Sequence, residues 1–189
     1  MTRVAGKLPI RWLTALALLF LLCACYSIRV TAGSVTGFDI ALPKQRLPAP
    51  LIAATDLADS KVSLDEFRGK VVLVHFWATF CVPCLHEMPA LEALWQAYRD
   101  QGLVILGIAA DRGSERVVRD YVRDSGITFP VVQDTDGAVR NRYEVVALPM
   151  SYLVGRDGRI SARAVGARDW RSAQGHRLIE SLLDSNAGM

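Results

Sequence analysis

The chain is 189 residues long, 51% of them apolar, with a formal charge of +3, which is enough for one domain with its own core and a short accessory segment. The positive excess is local: Arg3, Lys7 and Arg11 are the only charged residues before position 25, and without them basic and acidic residues balance at 19 each. A neutral body gives no electrostatic case for nucleic acid, and no nucleic-acid partner is expected.

The first predicted element is a targeting segment. Arg3, Lys7 and Arg11 precede the apolar run Leu13 to Leu22, broken in polarity only by Thr14, which suits the core of a secretory signal. Extended from Trp12 to Ile28, the run just reaches the roughly 17 residues of a membrane-spanning helix. Leu22-Cys23-Ala24-Cys25 is similar to a bacterial lipobox, with Cys23 an unusual occupant of its position. Two readings stand: a lipoprotein signal with lipid on Cys25, or an uncleaved anchor with two ordinary cysteines. Both put the body outside the cytoplasm, on the periplasmic side, tethered to a membrane by its N-terminus. The expected organisation is a signal or anchor over 1–25, a linker over 26–45 and a folded domain over 46–189.

The linker holds scattered prolines, glycines and polar residues, with at most a short strand near Phe38 to Ala41. Val71 to Trp77 is β-branched, aromatic and almost continuously apolar, as a strand covered on both faces should be. From Cys81 to about Asp100, Leu85, Met88, Leu91, Leu94, Trp95 and Tyr98 recur at spacings of three and four, which predicts an amphipathic helix ending at Gln101-Gly102. Leu103 to Ala109 is a second buried strand. Ser114 caps a helix through Val117, Val118, Tyr121 and Val122 that stops at Gly126. Phe129 to Val132 is a short strand, and Asp134-Thr135-Asp136-Gly137 turns into a brief helix ending near Tyr143. Ser151 to Val154 and Arg159 to Val165 form a hairpin across Arg156-Asp157-Gly158. Asp169 or Ser172 begins a last helix through Leu178, Ile179 and Leu182. The order, βαβα and then ββα, predicts an α/β fold with a mixed central sheet and helices on both faces.

Beyond Cys25 the only cysteines are Cys81 and Cys84. A pair so close together closes almost no loop, so stabilisation is a poor reason for it and chemistry a better one. Cys81 falls at a predicted helix N-terminus, where free N–H groups and the helix dipole favour a thiolate. Cys84, three residues on, shares the helical face and can resolve a mixed disulfide. Pro83 falls in the first turn, where its missing N–H costs little. Half a zinc site is excluded by the lack of a second pair: His75, His86 and His176 make no ligand pattern, and no metal is expected. Ala78 stands where a peroxiredoxin has its threonine. Asp134 to Gly137 faintly resembles a calcium loop, but Val145 occupies the place of its last glutamate.

Phe76-Trp77-Ala78-Thr79-Phe80-Cys81-Val82-Pro83-Cys84, then Glu87-Met88-Pro89, Leu148-Pro149 before a strand and Arg156-Asp157-Gly158-Arg159 after it, resemble the extracytoplasmic thioredoxin-like reductases of the TlpA/ResA group over about residues 46 to 185. The resemblance implies a thioredoxin-like fold with an N-terminal β-hairpin extension and an inserted βα element. It also implies a cis peptide bond at Pro149 and a role for Glu87 in setting the cysteine pKa values. Phe80, in place of the usual tryptophan, and Met150-Ser151, in place of a threonine pair, depart from the pattern at the substrate face.

The expected catalytic residues are therefore Cys81, Cys84, Glu87 and Pro149, with Trp77, Phe80, Val82, Pro83 and Leu148 facing substrate. Pro149 would set the backbone of Leu148 beside the sulfurs, where an extended substrate could pair with it. His86 is expected in solvent, and Trp95 and Trp170 in packing. His75, six residues before Cys81, stands where cytoplasmic thioredoxins carry a buried aspartate. It reads as a neutral core histidine, with a share in deprotonating Cys84 as the functional alternative. The expected activity is reduction of protein disulfides with no cofactor beyond the Cys81–Cys84 dithiol. Its partners would be an oxidised substrate protein and a membrane-embedded electron donor; the resemblance points to cytochrome c maturation or copper-site thiols. The alternatives are a disulfide oxidant or isomerase of the same fold, or a non-enzymatic copper(I)-delivery module.

Overall fold

The computed structural model describes residues 39–185, so the readings on Cys25, the targeting segment and Phe38 lie outside the described residues. A small antiparallel hairpin pairs β1 (Ala53–Thr55) with β2 (Lys61–Ser63). The Asp56 carboxylate holds its turn by accepting the amides of Ala58 and Ser60. A single 3-10 turn, Leu64–Phe67, leads to β3 (Val71–Trp77).

All seven residues of β3 are buried. Val71, Leu73 and Trp77 face one core, and Val72, Val74 and Phe76 the other, as the two-residue period of a strand requires. β4 (Leu103–Ala109) pairs parallel with β3, and β5 (Val131–Gln133) parallel with β4; β6 (Met150–Val154) pairs antiparallel with β3, and β7 (Ile160–Val165) antiparallel with β6. The sheet order is β5-β4-β3-β6-β7, which makes β3 the central strand. β5 starts at Val131 rather than Phe129 because Pro130 has no N–H to donate. The ring of Phe129 instead fills the core beside Gly107.

Four helices complete the domain: α1 (Val82–Tyr98), α2 (Glu115–Asp124), α3 (Ala138–Arg142) and α4 (Ala173–Asp184). α1, α2 and α4 build the core with Trp77 and Cys84, while α3 and the hairpin cover the other face of the sheet. The β5–α3 unit is inserted between α2 and β6. The Asp134-to-Gly137 turn is a cap: the buried Asp134 carboxylate accepts the amides of Val139 and Arg140 and pairs with the Arg140 guanidinium at 3.0 Å. Ser172, not Asp169, caps α4, accepting the Gly175 amide.

Within the segment read as linker, Ala41, at the end of the short strand expected near Phe38 to Ala41, exchanges both backbone hydrogen bonds with Arg163; at the start of the domain, Leu47 and Ala49 pair with Ile160 and Gly158. An edge pairing of this kind needs only backbone groups from one side of the segment, so proline and polar content do not prevent it.

Candidate active site

β3 ends at Trp77, and the chain leaves it through Ala78-Thr79-Phe80 into the first turn of α1. This loop is tied down from below. Thr79 donates its amide to Asp111, at 3.1 and 3.3 Å to the two carboxylate oxygens, and its hydroxyl to the same group. Asp111 follows the end of β4, and its carbonyl accepts from Gln133 on β5. The loop is thus fixed to three neighbouring strand ends. Sequence reasoning passed over Asp111; its only signal was a lone acid just past a buried strand.

Cys81 is the extended N-cap of α1 and is half-buried, while Cys84 is fully buried in the core. The two form a disulfide, with Cα atoms 5.3 Å apart. The Leu148–Pro149 peptide bond is cis. The register Phe76 opposite Met150 sets Pro149 one residue further, at the end of β3 from which the cysteine loop leaves. Of the residues expected to face substrate, Phe80 is 72% and Val82 61% exposed, Pro83 is exposed and Leu148 half-buried. The expectation fails for Trp77, which is fully buried with its ring 5.3 Å from that of Tyr121. Seven consecutive buried positions in β3 leave its last side chain no route to solvent. Val146, two residues before Leu148, is 82% exposed. His86 is exposed, as expected.

Glu87 lies on the buried side of α1, 4% exposed, one helical turn past Cys84. Its Oε1 accepts the indole N–H of Trp170 and, at 3.3 Å, the amide of Arg168. Its Oε2 is buried without a partner. Burial pushes the Glu87 carboxyl up to about 7, and the two hydrogen bonds and the Arg168 charge only partly oppose this. Sequence reasoning assigned Trp170 to packing and missed this contact, which spans 83 positions.

His75 shares the α1-facing side of β3 with Leu73 and Trp77, by alternation. It is fully buried, with Nδ1 2.9 Å from the Ser151 hydroxyl and Nε2 without a partner. Burial lowers its pKa to about 3, so the imidazole is neutral. No hydrogen bond joins it to Glu87 or to either cysteine among the described residues. The geometry supports the core-histidine reading. Among the described residues, no group of three or more His, Cys, Asp or Glu side chains could hold a metal ion, and no helix is long and apolar enough to cross a membrane.

A mixed sheet with a Cys-x-x-Cys pair at the tip of its first long helix, facing a cis-proline, defines a thioredoxin-like thiol–disulfide oxidoreductase. The comparisons agree. Residues 46–163 match the model of the AhpC/TSA family. The chain is 32% identical over 151 residues to the thiol-disulfide oxidoreductase ResA of Bacillus thuringiensis, covering 79% of this chain and 85% of that one. It is 34% identical over 135 residues to ResA of Geobacillus kaustophilus, covering 71% and 75%. The solution structure of a thioredoxin from Neisseria meningitidis superimposes with a TM-score of 0.67 at 31% identity, over 74% of this chain and 93% of that one. A thiol:disulfide interchange protein DsbE from Chlorobium tepidum gives 0.69 at 24% identity over 76% and 99%, a likeness of fold. The chain belongs to the AhpC/TSA family and, within the thioredoxin superfamily, to its ResA/TlpA-like thiol–disulfide oxidoreductases.

The Glu87 carboxyl makes stability depend on pH with a definite sign. Its pKa is raised on folding from 4.5 to about 7. The stability contributed by the protonated carboxyl is therefore fully present below pH 4.5 and is lost as pH rises through 7. Oxidised wild-type protein should lose up to about 3 kcal/mol between pH 5 and pH 8 through this group. Glu87→Gln should remove most of that slope. Urea unfolding at the two pH values checks it, and an unchanged slope in Glu87→Gln would show that the carboxyl is not raised.

Proposed function

We propose that this oxidoreductase is exported, tethered to a membrane by its N-terminus, and works as a reductant of protein disulfides. The observation that carries the reading is the asymmetry of the pair: Cys81 half-buried at the helix tip between the exposed Phe80 and Val82, with Cys84 fully buried and the buried Glu87 one helical turn further along α1. The identity with ResA proteins over most of both chains and the basic, apolar N-terminal segment support the rest.

In the proposed cycle the Cys81 thiolate attacks a substrate disulfide. One substrate sulfur leaves as a thiolate and a mixed disulfide forms. Glu87 takes the proton of Cys84. The Cys84 thiolate then attacks Cys81, the second substrate sulfur leaves, and the Cys81–Cys84 disulfide closes. The substrate gains two electrons and the dithiol loses two; a membrane-embedded donor restores them. A general base near neutral pH suits this step, since an ordinary carboxylate would be too weak to accept a thiol proton. Leu148, ahead of the cis-proline, offers backbone to an extended substrate segment. Apocytochrome c thiols or the cysteines of a copper site are the substrates we propose, reached outside the cytoplasm.

Equilibrating the full chain in detergent with glutathione tests the direction. A potential well below about −200 mV fits a reductant, and one near −120 mV would make the protein an oxidant instead. The tether has its own test. With lipid on Cys25, Cys25→Ser should leave a larger, unprocessed precursor on a denaturing gel. An unchanged mass and membrane fraction would favour an uncleaved anchor.

A further inference from the structure

Trp170 is fully buried, in the turn between β7 and α4. An indole is a donor only, and here its N–H reaches across to Glu87 Oε1. The Arg168 amide reaches the same oxygen at 3.3 Å. Oε1 therefore accepts twice, while Oε2 accepts nothing and is shut off from solvent. A carboxyl group so held has one place left for a proton. Turning it over only exchanges two equivalent oxygens: whichever takes the two donors, the other is left bare on the opposite side.

The donors are themselves rigidly placed. A Cβ on Gly175, in the first turn of α4, would lie 2.9 Å from the Trp170 carbonyl oxygen, so the helix packs directly against the Trp170 backbone. The Trp170 amide bonds to the Arg168 carbonyl at 3.1 Å, and the Ser172 hydroxyl closes the turn on Gly175. The Arg168 guanidinium points elsewhere, to the carbonyls of Asp39, Gly166 and Ala167. The carboxyl is thus oriented by neutral donors. A direct cation contact would hold it ionised well below neutral pH and leave a poor base.

We infer that Trp170 is a positioning residue for the redox reaction: its indole N–H, with the Arg168 amide, fixes Glu87 so that the proton exchanged with Cys84 resides on Oε2. This rests on the reading of Glu87 as the acceptor of the Cys84 proton. In this role Trp170 acts through Glu87.

Trp170→Phe keeps a buried aromatic ring and deletes the N–H. The reduced protein is mixed with 5,5′-dithiobis(2-nitrobenzoate). Cys81 displaces the first nitrothiobenzoate, and Cys84 displaces the second as the internal disulfide closes, so the second release times the resolving step. In Trp170→Phe the pH midpoint of that step should rise by about one unit, the value of one hydrogen bond to a charged group. Adding Trp170→Phe to Glu87→Gln should change nothing further. A midpoint unmoved in Trp170→Phe, with Glu87→Gln still altering the profile, overturns the role of Trp170 and leaves Glu87 as the base. A profile unchanged in Glu87→Gln removes the base, and the inference with it. A further shift in the double variant means Trp170 acts by another route, and also overturns it. Wild-type protein gives an independent reading that needs no variant to fold. With ¹⁵N-labelled tryptophan, the Trp170 indole resonance should titrate together with the Glu87 side-chain carbon. A pH-invariant indole resonance contradicts the inference.

Discussion

The first turn of α1 enters the core that β3 and β4 share, and this lets only one of two sulfurs three residues apart meet solvent. Cys84, on the inward side, packs with Met88 and Leu91; Cys81, the N-cap, stays at the rim. The difference in role follows from position. The outer sulfur sits at the free N–H groups of the helix end, open to the substrate we propose, while the inner one is reached only by its neighbour and by buried groups. Because β3 is covered on both faces and paired on both edges, the loop it delivers cannot drift, and the Thr79–Asp111 contact takes up what freedom remains.

The same burial that protects Cys84 makes its deprotonation difficult. A thiol away from water needs an acceptor close by, and the acceptor must itself tolerate burial. Glu87 and His75 are both buried titratable groups, and desolvation drives them in opposite directions. The carboxyl is brought up to the neutral range, where it can exchange protons at working pH; the imidazole is driven far below it and stays uncharged. One environment thus fits the proton-transfer role we propose for Glu87, while the imidazole stays neutral beside the Ser151 hydroxyl.

Much of this was legible in the sequence, for identifiable reasons. β3 and β4 announce themselves because a strand buried on both faces is a run of apolar residues. The redox pair stands out because its spacing serves chemistry better than stability. The mixed sheet follows from element order. What escaped were side-chain contacts between residues far apart in the chain. Trp170 looks like any core tryptophan until Glu87 is seen opposite its nitrogen. Asp111 looks like a surface acid until the loop at Thr79 folds over it. Trp77, read as substrate-facing from its nearness to Cys81, is the last residue of a strand that admits no exposed side chain.

In the proposed cycle, position alone makes Cys81 the nucleophile and Cys84 the shielded resolver. The direct measurement is the pH dependence of iodoacetamide alkylation of the fully reduced, folded protein, with each adduct located by mass spectrometry. The cycle predicts carboxamidomethylation at Cys81, with a midpoint below the roughly 8.5 of a free thiol, and labelling of Cys84 only after denaturation. Alkylation of Cys84 first, or of both cysteines at equal rates, would contradict it.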